Sequence, residues 1–320
     1  GKLFGVNSKM NEEWVPPELD HEELARKIYS VEHVLAGPWV GEFGWELFCY
    51  QGYLRKLRHD YSHIKSINII SRTGRGVIYE DFCDKYIEWD CPGTQVTGAL
   101  CMDWGTEPTH VDLIERLGLR NCLWIPTQQF VINYHASGPR YEEYLKIFKE
   151  KQDFTMYGTS QDNLRYDVVI HARSTAKFNT GHQNWPSEKW MLLGENLFQK
   201  NLKVASIGIS GEALHIPHSD NLMDIPLEKT ADILASSSCI LGTSSGPMHF
   251  ASLCGCPQIL ISECVESGGK DNERRYKYDW NPFETSVTLI KYENSTKDNG
   301  WNPPVENVKQ ELFNLLDKVS

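Results

Sequence analysis

With 320 residues and a formal net charge of −11, the chain is long enough for two ordinary domains and too acidic for a nucleic-acid footprint. Hydrophobic residues make up 40% and charged ones 23%, the balance of a globular protein with a sizeable core. No apolar run approaches the roughly 18 residues that a membrane-spanning helix needs. Gly1 to Glu18 carries no apolar signal core, and the nine cysteines are scattered without a Cys-x-x-Cys pair. Reduced thiols and a cytoplasmic location are therefore expected, with no transmembrane segment and no nucleic-acid partner.

Residues 1–30 read as a polar, proline-containing extension with one amphipathic helix, His21 to Tyr29. Strand and helix patterns then alternate. Strands are predicted at Glu32–Ala36, Ser66–Ser71, Cys122–Ile125, Asp167–His171, Leu202–Ile209, Cys239–Gly242, Gln258–Ile261 and Ser286–Ile290. Helices are predicted at Glu46–Arg58, Glu142–Glu150, Ser187–Gln199, Thr230–Ala235 and Glu306–Lys318. This alternation implies parallel sheets with right-handed crossovers, an α/β fold. The polar stretch Lys151 to Arg165 is the natural linker, dividing the chain into residues 1–155 and 156–320.

The first strand runs into Gly37-Pro38-Trp39-Val40-Gly41-Glu42-Phe43-Gly44-Trp45-Glu46. Its glycines let the loop bend close to a ligand. Glu42 and Glu46 lie among aromatic walls, the surroundings that suit a carboxylate to general-base work. Glu46 equally suits a helix's first turn, where negative charge meets the dipole. Trp39 and Trp45 read either as sugar platforms or as core. After the next strand, Arg72-Thr73-Gly74-Arg75-Gly76 is a cationic, glycine-loosened turn, and Glu80, Asp81 and Asp84 read as a short solvated helix beyond it.

In the second half, Asp167 to His171 reads as a buried strand that enters the polar loop His171-Ala172-Arg173-Ser174-Thr175-Ala176-Lys177. Trp185-Pro186 then starts a helix. The strand ending near Ile209 leads to Ser210-Gly211-Glu212, where a carboxylate can take ribose hydroxyls or stand as an ordinary surface charge. The segment Cys239 to Cys256 is the most informative. A short strand ends at the small-residue turn Gly242 to Gly246, Pro247 opens an apolar helix, and His249 sits in its first turn. Backbone N–H groups and the hydroxyls of Ser244 and Ser245 at a helix N-terminus form an anion site. Arg274-Arg275-Tyr276-Lys277-Tyr278, with Asn281-Pro282-Phe283, is a later cationic, aromatic run, suited to phosphate or acceptor or to a solvated loop with two buried rings.

Ser245-Gly246-Pro247-Met248-His249, with the helix and Gly-Cys-Pro that follow, resembles the donor motif of heptosyltransferase-like (family 9-like) glycosyltransferases. The order strand, cationic loop, Trp-Pro, helix is similar to that family as well. The His171-x-Arg173 loop instead resembles fucosyltransferases that use GDP-fucose, with Arg173 on the β-phosphate.

The resemblance implies a GT-B fold: two Rossmann-like domains whose parallel sheets face each other across a cleft. Residues 1–155 would bind the acceptor, through Trp39, Trp45 and Arg72, and 156–320 the nucleotide sugar. The last helix would lean back on the first domain. The implied reaction moves a sugar from a GDP-, ADP- or UDP-linked donor to a glycan or other hydroxyl acceptor, with inversion. Glu46 or Glu42 would be the base. His171, Arg173, Lys177, Glu212, Ser244, Ser245, Gly246 and His249 would bind the donor. Ser244 stands where the motif usually has an acid, and no Asp-x-Asp occurs, so no cofactor and metal-independent transfer are expected. Two readings use the same residues differently. One is a sugar-nucleotide epimerase in which Glu212 and Glu46 converge on the donor sugar. The other is a non-catalytic protein that keeps the pocket.

Overall fold

The computed structural model describes residues 21–39, 41–89, 96–97, 100–101, 114–125, 150–175, 183–263, 272–292 and 302–319. Two parallel sheets organise these residues. The first is built from β1 (His33–Ala36), β2 (Ser66–Ser71), β3 (Lys85–Glu88) and β6 (Cys122–Ile125), in the order β3–β2–β1–β6. A short antiparallel pair, β4 (Val96–Thr97) with β5 (Leu100–Cys101), lies apart from it. The second sheet uses β7 (Val168–Arg173), β8 (Val204–Gly208), β9 (Ala213–Leu214), β10 (Asp220–Met223), β11 (Ile240–Thr243), β12 (Gln258–Glu263) and β13 (Val287–Tyr292). Its order is β10–β8–β7–β11–β12–β13, with β9 antiparallel to the end of β7.

Strand order reverses between β1 and β6 in the first sheet and between β7 and β11 in the second. Open α/β sheets bind ligands outside the carboxyl ends of strands at such reversals. Gly242 of β11 lies opposite His171 of β7, so the loops that leave these strands emerge side by side. The crossover helices are α1 (His21–Tyr29), α2 (Phe43–Cys49), α3 (Gln51–Asp60), α4 (Ser187–Gln199), α5 (Leu227–Ser236), α6 (Gly246–Leu253) and α7 (Val305–Val319).

The two-residue period of a strand divides the second sheet's core. Val168, Ile170 and Ala172 face one apolar cluster with Trp185, Trp190 and the helix residues Val308 and Leu312. Val169 and Ile240 face another, with Ala231, Phe250 and Leu253. That second cluster continues without a break into the first sheet's core, through Phe48, Trp45, Leu47 and Trp280. The two halves thus share a packed seam between α2 and α6. Leu47 and Phe48 are fully buried there, each contributing about 1.5–3 kcal/mol. Glycine makes the close approach possible: a Cβ on Gly44 would lie 2.8 Å from His249 Cδ2, and one on Gly246 would lie 3.2 Å from Phe43 Cδ1.

Several elements differ from expectation. The helix predicted over Glu46–Arg58 starts earlier and breaks at Tyr50 (φ −137°, ψ −63°), whose ring packs 5.0 Å from that of Trp39. Packing there overrides helical propensity. Glu80, Asp81 and Asp84 do not form a helix; a 3-10 turn, Gly76–Ile78, leads to the edge strand β3. Asp81 pairs with Arg55 at 2.8 Å, and Asp84 pairs with Arg58. The last helix buries Val305, Val308, Leu312 and Leu315 in the second sheet's core. Of the helix expected at Glu142–Glu150, only Glu150 lies within the described residues.

Candidate functional site

β7 carries His171 and Arg173 to its carboxyl end. His171 is buried, and its Nδ1 is hydrogen-bonded to Ser245 Oγ at 2.9 Å. Burial, and then the Arg173 charge, depress its pKa to about 4, so the ring is neutral near pH 7. Arg173 is half-buried and donates through Nη1 to Gln183 Oε1 at 3.3 Å. Burial pulls its pKa down, while the charge of Glu42 and then those of Tyr276 and Glu212 oppose the shift. A guanidinium keeps its proton in such surroundings.

β11 ends in Thr243, and Ser244-Ser245-Gly246 turns the chain into α6, with Pro247 in the first turn. Ser245 is the N-cap residue but makes no side-chain cap, because its hydroxyl is engaged with His171. Its backbone N–H donates to Tyr276 Oη at 3.2 Å, and Tyr276 donates onward to Ser244 Oγ at 3.0 Å. Two buried polar atoms beside this turn, Thr243 Oγ1 and His249 Nδ1, have no hydrogen-bond partner. Buried polar atoms normally have one; of the two, Thr243 Oγ1 belongs to the residue that leads directly into the turn.

Glu212 follows β8 at the same edge. Its carbonyl accepts from Ser174 N–H at 2.9 Å, and the strand behind it pairs Ala213 with Arg173. Glu42 comes from the other half: exposed at the start of α2, it makes no cap hydrogen bond, and its charge acts on Arg173. Glu42, His171, Arg173, Glu212, Ser244, Ser245 and Gly246 are therefore brought together.

Other expected residues lie elsewhere. Glu46 is fully buried and accepts from Ser71 Oγ, from Arg75 Nη1 at 2.5 Å and from Tyr79 Oη at 2.7 Å. Its oxygens are consumed internally. Trp39 and Trp45 are core residues, not exposed platforms. Trp39 packs on Tyr50 and donates to the Gly41 carbonyl at 2.9 Å, while Trp45 meets Trp280 edge-on at 5.3 Å. His249 is buried in the packed seam. Its ring stacks on Tyr276 at 4.3 Å, meets Trp280 at 4.6 Å and is held neutral by burial and then by the Arg275 charge. Arg72 is half-buried after β2, and its Nε has no partner. Lys177 lies outside the described residues.

Tyr276 was not among the expected site residues. Its signal was the cationic, aromatic run at 274–278, which gave no sign that Tyr276 turns inward while Tyr278 stays 62% exposed. Among the described residues, no cluster of three or more His, Cys, Asp or Glu side chains could hold a metal ion. No described helix is long and apolar enough to cross a membrane.

No protein-family model matches the sequence. No curated protein sequence matches it. Among solved structures, the chain is similar to a glycosyl transferase family 9 protein from Veillonella parvula, with a TM-score of 0.56 at 12% identity, over 95% of this chain and 100% of that one. It is also similar to E. coli heptosyltransferase WaaC with ADP-2-deoxy-2-fluoro heptose, with a TM-score of 0.51 at 13% identity, over 88% and 99% of the two chains. At such identities the likeness is one of fold. The chain has the GT-B fold of these glycosyltransferases.

Proposed function

We propose that the protein is a glycosyltransferase that moves a sugar from a nucleoside diphosphate sugar to a hydroxyl acceptor. The observation that carries this reading is the convergence of Arg173, the Ser244–Gly246 turn and Glu42 where β7 and β11 reverse the strand order. Residues 156–320 would hold the donor and residues 1–155 the acceptor. The WaaC structure contains an ADP-linked sugar, which favours ADP over the GDP suggested by the His171-x-Arg173 loop.

Breaking the anomeric C–O bond puts negative charge on the departing diphosphate. Arg173 and the turn's N–H groups stabilise that charge more in the transition state than in the ground state. They are fixed protein charges and dipoles, so the reading requires no metal. Glu42, exposed and opposite Arg173, takes the acceptor hydroxyl proton as the oxygen attacks the face away from the diphosphate. The anomeric configuration then inverts. Glu46, enclosed by three donors, acts instead as an internal support. The free thiols of Cys49, Cys239, Cys254 and Cys256 suit a reducing, cytoplasmic compartment.

The test is acceptor-dependent release of nucleoside diphosphate from ADP-, GDP- and UDP-sugars, with the product's anomeric configuration read by NMR. An inverted glycoside is expected. Interconversion of the donor's sugar without an acceptor would mark an epimerase, and binding without turnover a pocket that only holds the donor.

A further inference from the structure

The segment after β12 enters the donor turn from the side. A helical turn, Asn272–Arg274, continues into the π-helical stretch Arg275–Asp279, closed by Trp280 N–H donating to the Arg275 carbonyl at 2.9 Å. Wide turns of this kind are rare and concentrate at functional sites. Here the widening places Tyr276 inward, 1% exposed, while Lys277 pairs with Glu273 on the outside at 2.8 Å.

The Tyr276 ring is clamped. It lies 4.3 Å from the His249 ring at an interplanar angle of 16°. Its hydroxyl hydrogen is still free to rotate. That hydroxyl accepts the Ser245 N–H and donates to Ser244 Oγ, within electrostatic reach of Arg173. A hydroxyl that accepts a turn N–H beside a guanidinium adjoins the place where a helix N-terminus takes a phosphate oxygen. The unpartnered Thr243 Oγ1 belongs to the residue that leads into the same turn.

We propose that Tyr276 is a diphosphate-recognition residue. When a donor's diphosphate arrives, the phenolic O–H turns from Ser244 Oγ to a phosphate oxygen, while the phenolic oxygen keeps the Ser245 N–H. The bond lost is replaced by a charge-assisted one, which is shorter and stronger than a neutral bond. This inference rests on the donor-site reading above and adds to it a residue that selects diphosphate over monophosphate.

The experiment is calorimetric titration of the full chain and of Tyr276→Phe with ADP, GDP, UDP and the matching monophosphates. Tyr278→Phe, altered at an exposed ring outside the turn, is the control. For whichever base binds the wild type, Tyr276→Phe is expected to weaken the diphosphate at least about tenfold and the monophosphate much less, the loss of one hydrogen bond to a charged group. The ratio of the two affinities does not depend on the fraction folded, so a stability loss does not imitate the result. An unchanged ratio, or tighter diphosphate binding in Tyr276→Phe, overturns the inference while leaving the donor site standing. If the wild type binds no nucleotide, the donor-site reading itself fails and this inference falls with it.

Discussion

The backbone N–H of Glu46 donates to the Glu42 carbonyl at 3.1 Å, so the two carboxylates sit one helical turn apart on the same element. The fold sends them to opposite surroundings. Glu42 stands exposed, where its charge acts on Arg173 from the other half of the chain. Glu46 lies beneath Arg75, whose guanidinium is 4.0 Å from the centre of the Phe43 ring, and Phe43 in turn packs on Phe250 of α6. Glu42 thus acts on Arg173 across the two halves, and Glu46 braces the seam beside the Ser244–Gly246 turn.

This division separates two substitutions. Glu42→Gln is expected to lower kcat by about 10²–10⁴-fold, the range for a lost general base, with donor affinity retained. Glu46→Ala should act first on stability. It leaves Arg75 without its buried partner, at a cost on the order of 3 kcal/mol. Steady-state kinetics and denaturant unfolding on both variants check the assignment; equal turnover losses at equal stability would reverse it.

The seam itself is open to test through its glycines. A Cβ at Gly44 would lie 2.8 Å from His249 and 3.1 Å from the Trp280 ring, against a single closest approach of 3.2 Å to Phe43 for Gly246. Overpacking of this kind costs about 1–3 kcal/mol. Gly44→Ala is expected at the upper end and Gly246→Ala at the lower, ranked by unfolding midpoints at constant m.

A pH dependence follows from His171. Its pKa is depressed to about 4 in the folded chain, against about 6.5 when unfolded. The unfolded state therefore binds the extra proton between those values, and stability falls as pH drops from 6.5 towards 4. Above 6.5 the group contributes no slope. The contribution lost is on the order of 3 kcal/mol. His249 is shifted in the same direction. His171→Gln should flatten the stability curve over that window by one proton's worth of slope, read from unfolding at pH 4.5 and 7.

Much of the fold was legible because local pattern and tertiary packing agree. Ser66–Ser71 and Ser187–Gln199 form the elements expected of them at the same bounds, each an apolar pattern closed by polar turns. The edge strand Lys85–Glu88 was not legible, since its charged, exposed ends leave only two partly buried residues to mark it. The strand–turn–helix junction at Ser244–Gly246 could be read from Gly, Pro and hydroxyl spacing. The fate of Glu46, Trp39 and Trp45 could not. The partners that bury Glu46 are Ser71, Arg75 and Tyr79, drawn in by β2 and the turn after it, and Trp45 is covered by Trp280 from the other half of the chain. Such long-range enclosure leaves no mark in the local sequence, and the inward turn of Tyr276 depends on a π-helical register of the same kind.

The central claim is that Arg173 and the adjoining turn hold a nucleoside diphosphate. It is tested most directly by calorimetric titration of the wild type and Arg173→Ala with ADP, GDP and UDP. The account predicts that one of the three binds the wild type and that Arg173→Ala weakens it by about tenfold or more, as loss of a charge-assisted contact requires. Failure of all three to bind the wild type, or equal binding by Arg173→Ala, would contradict it.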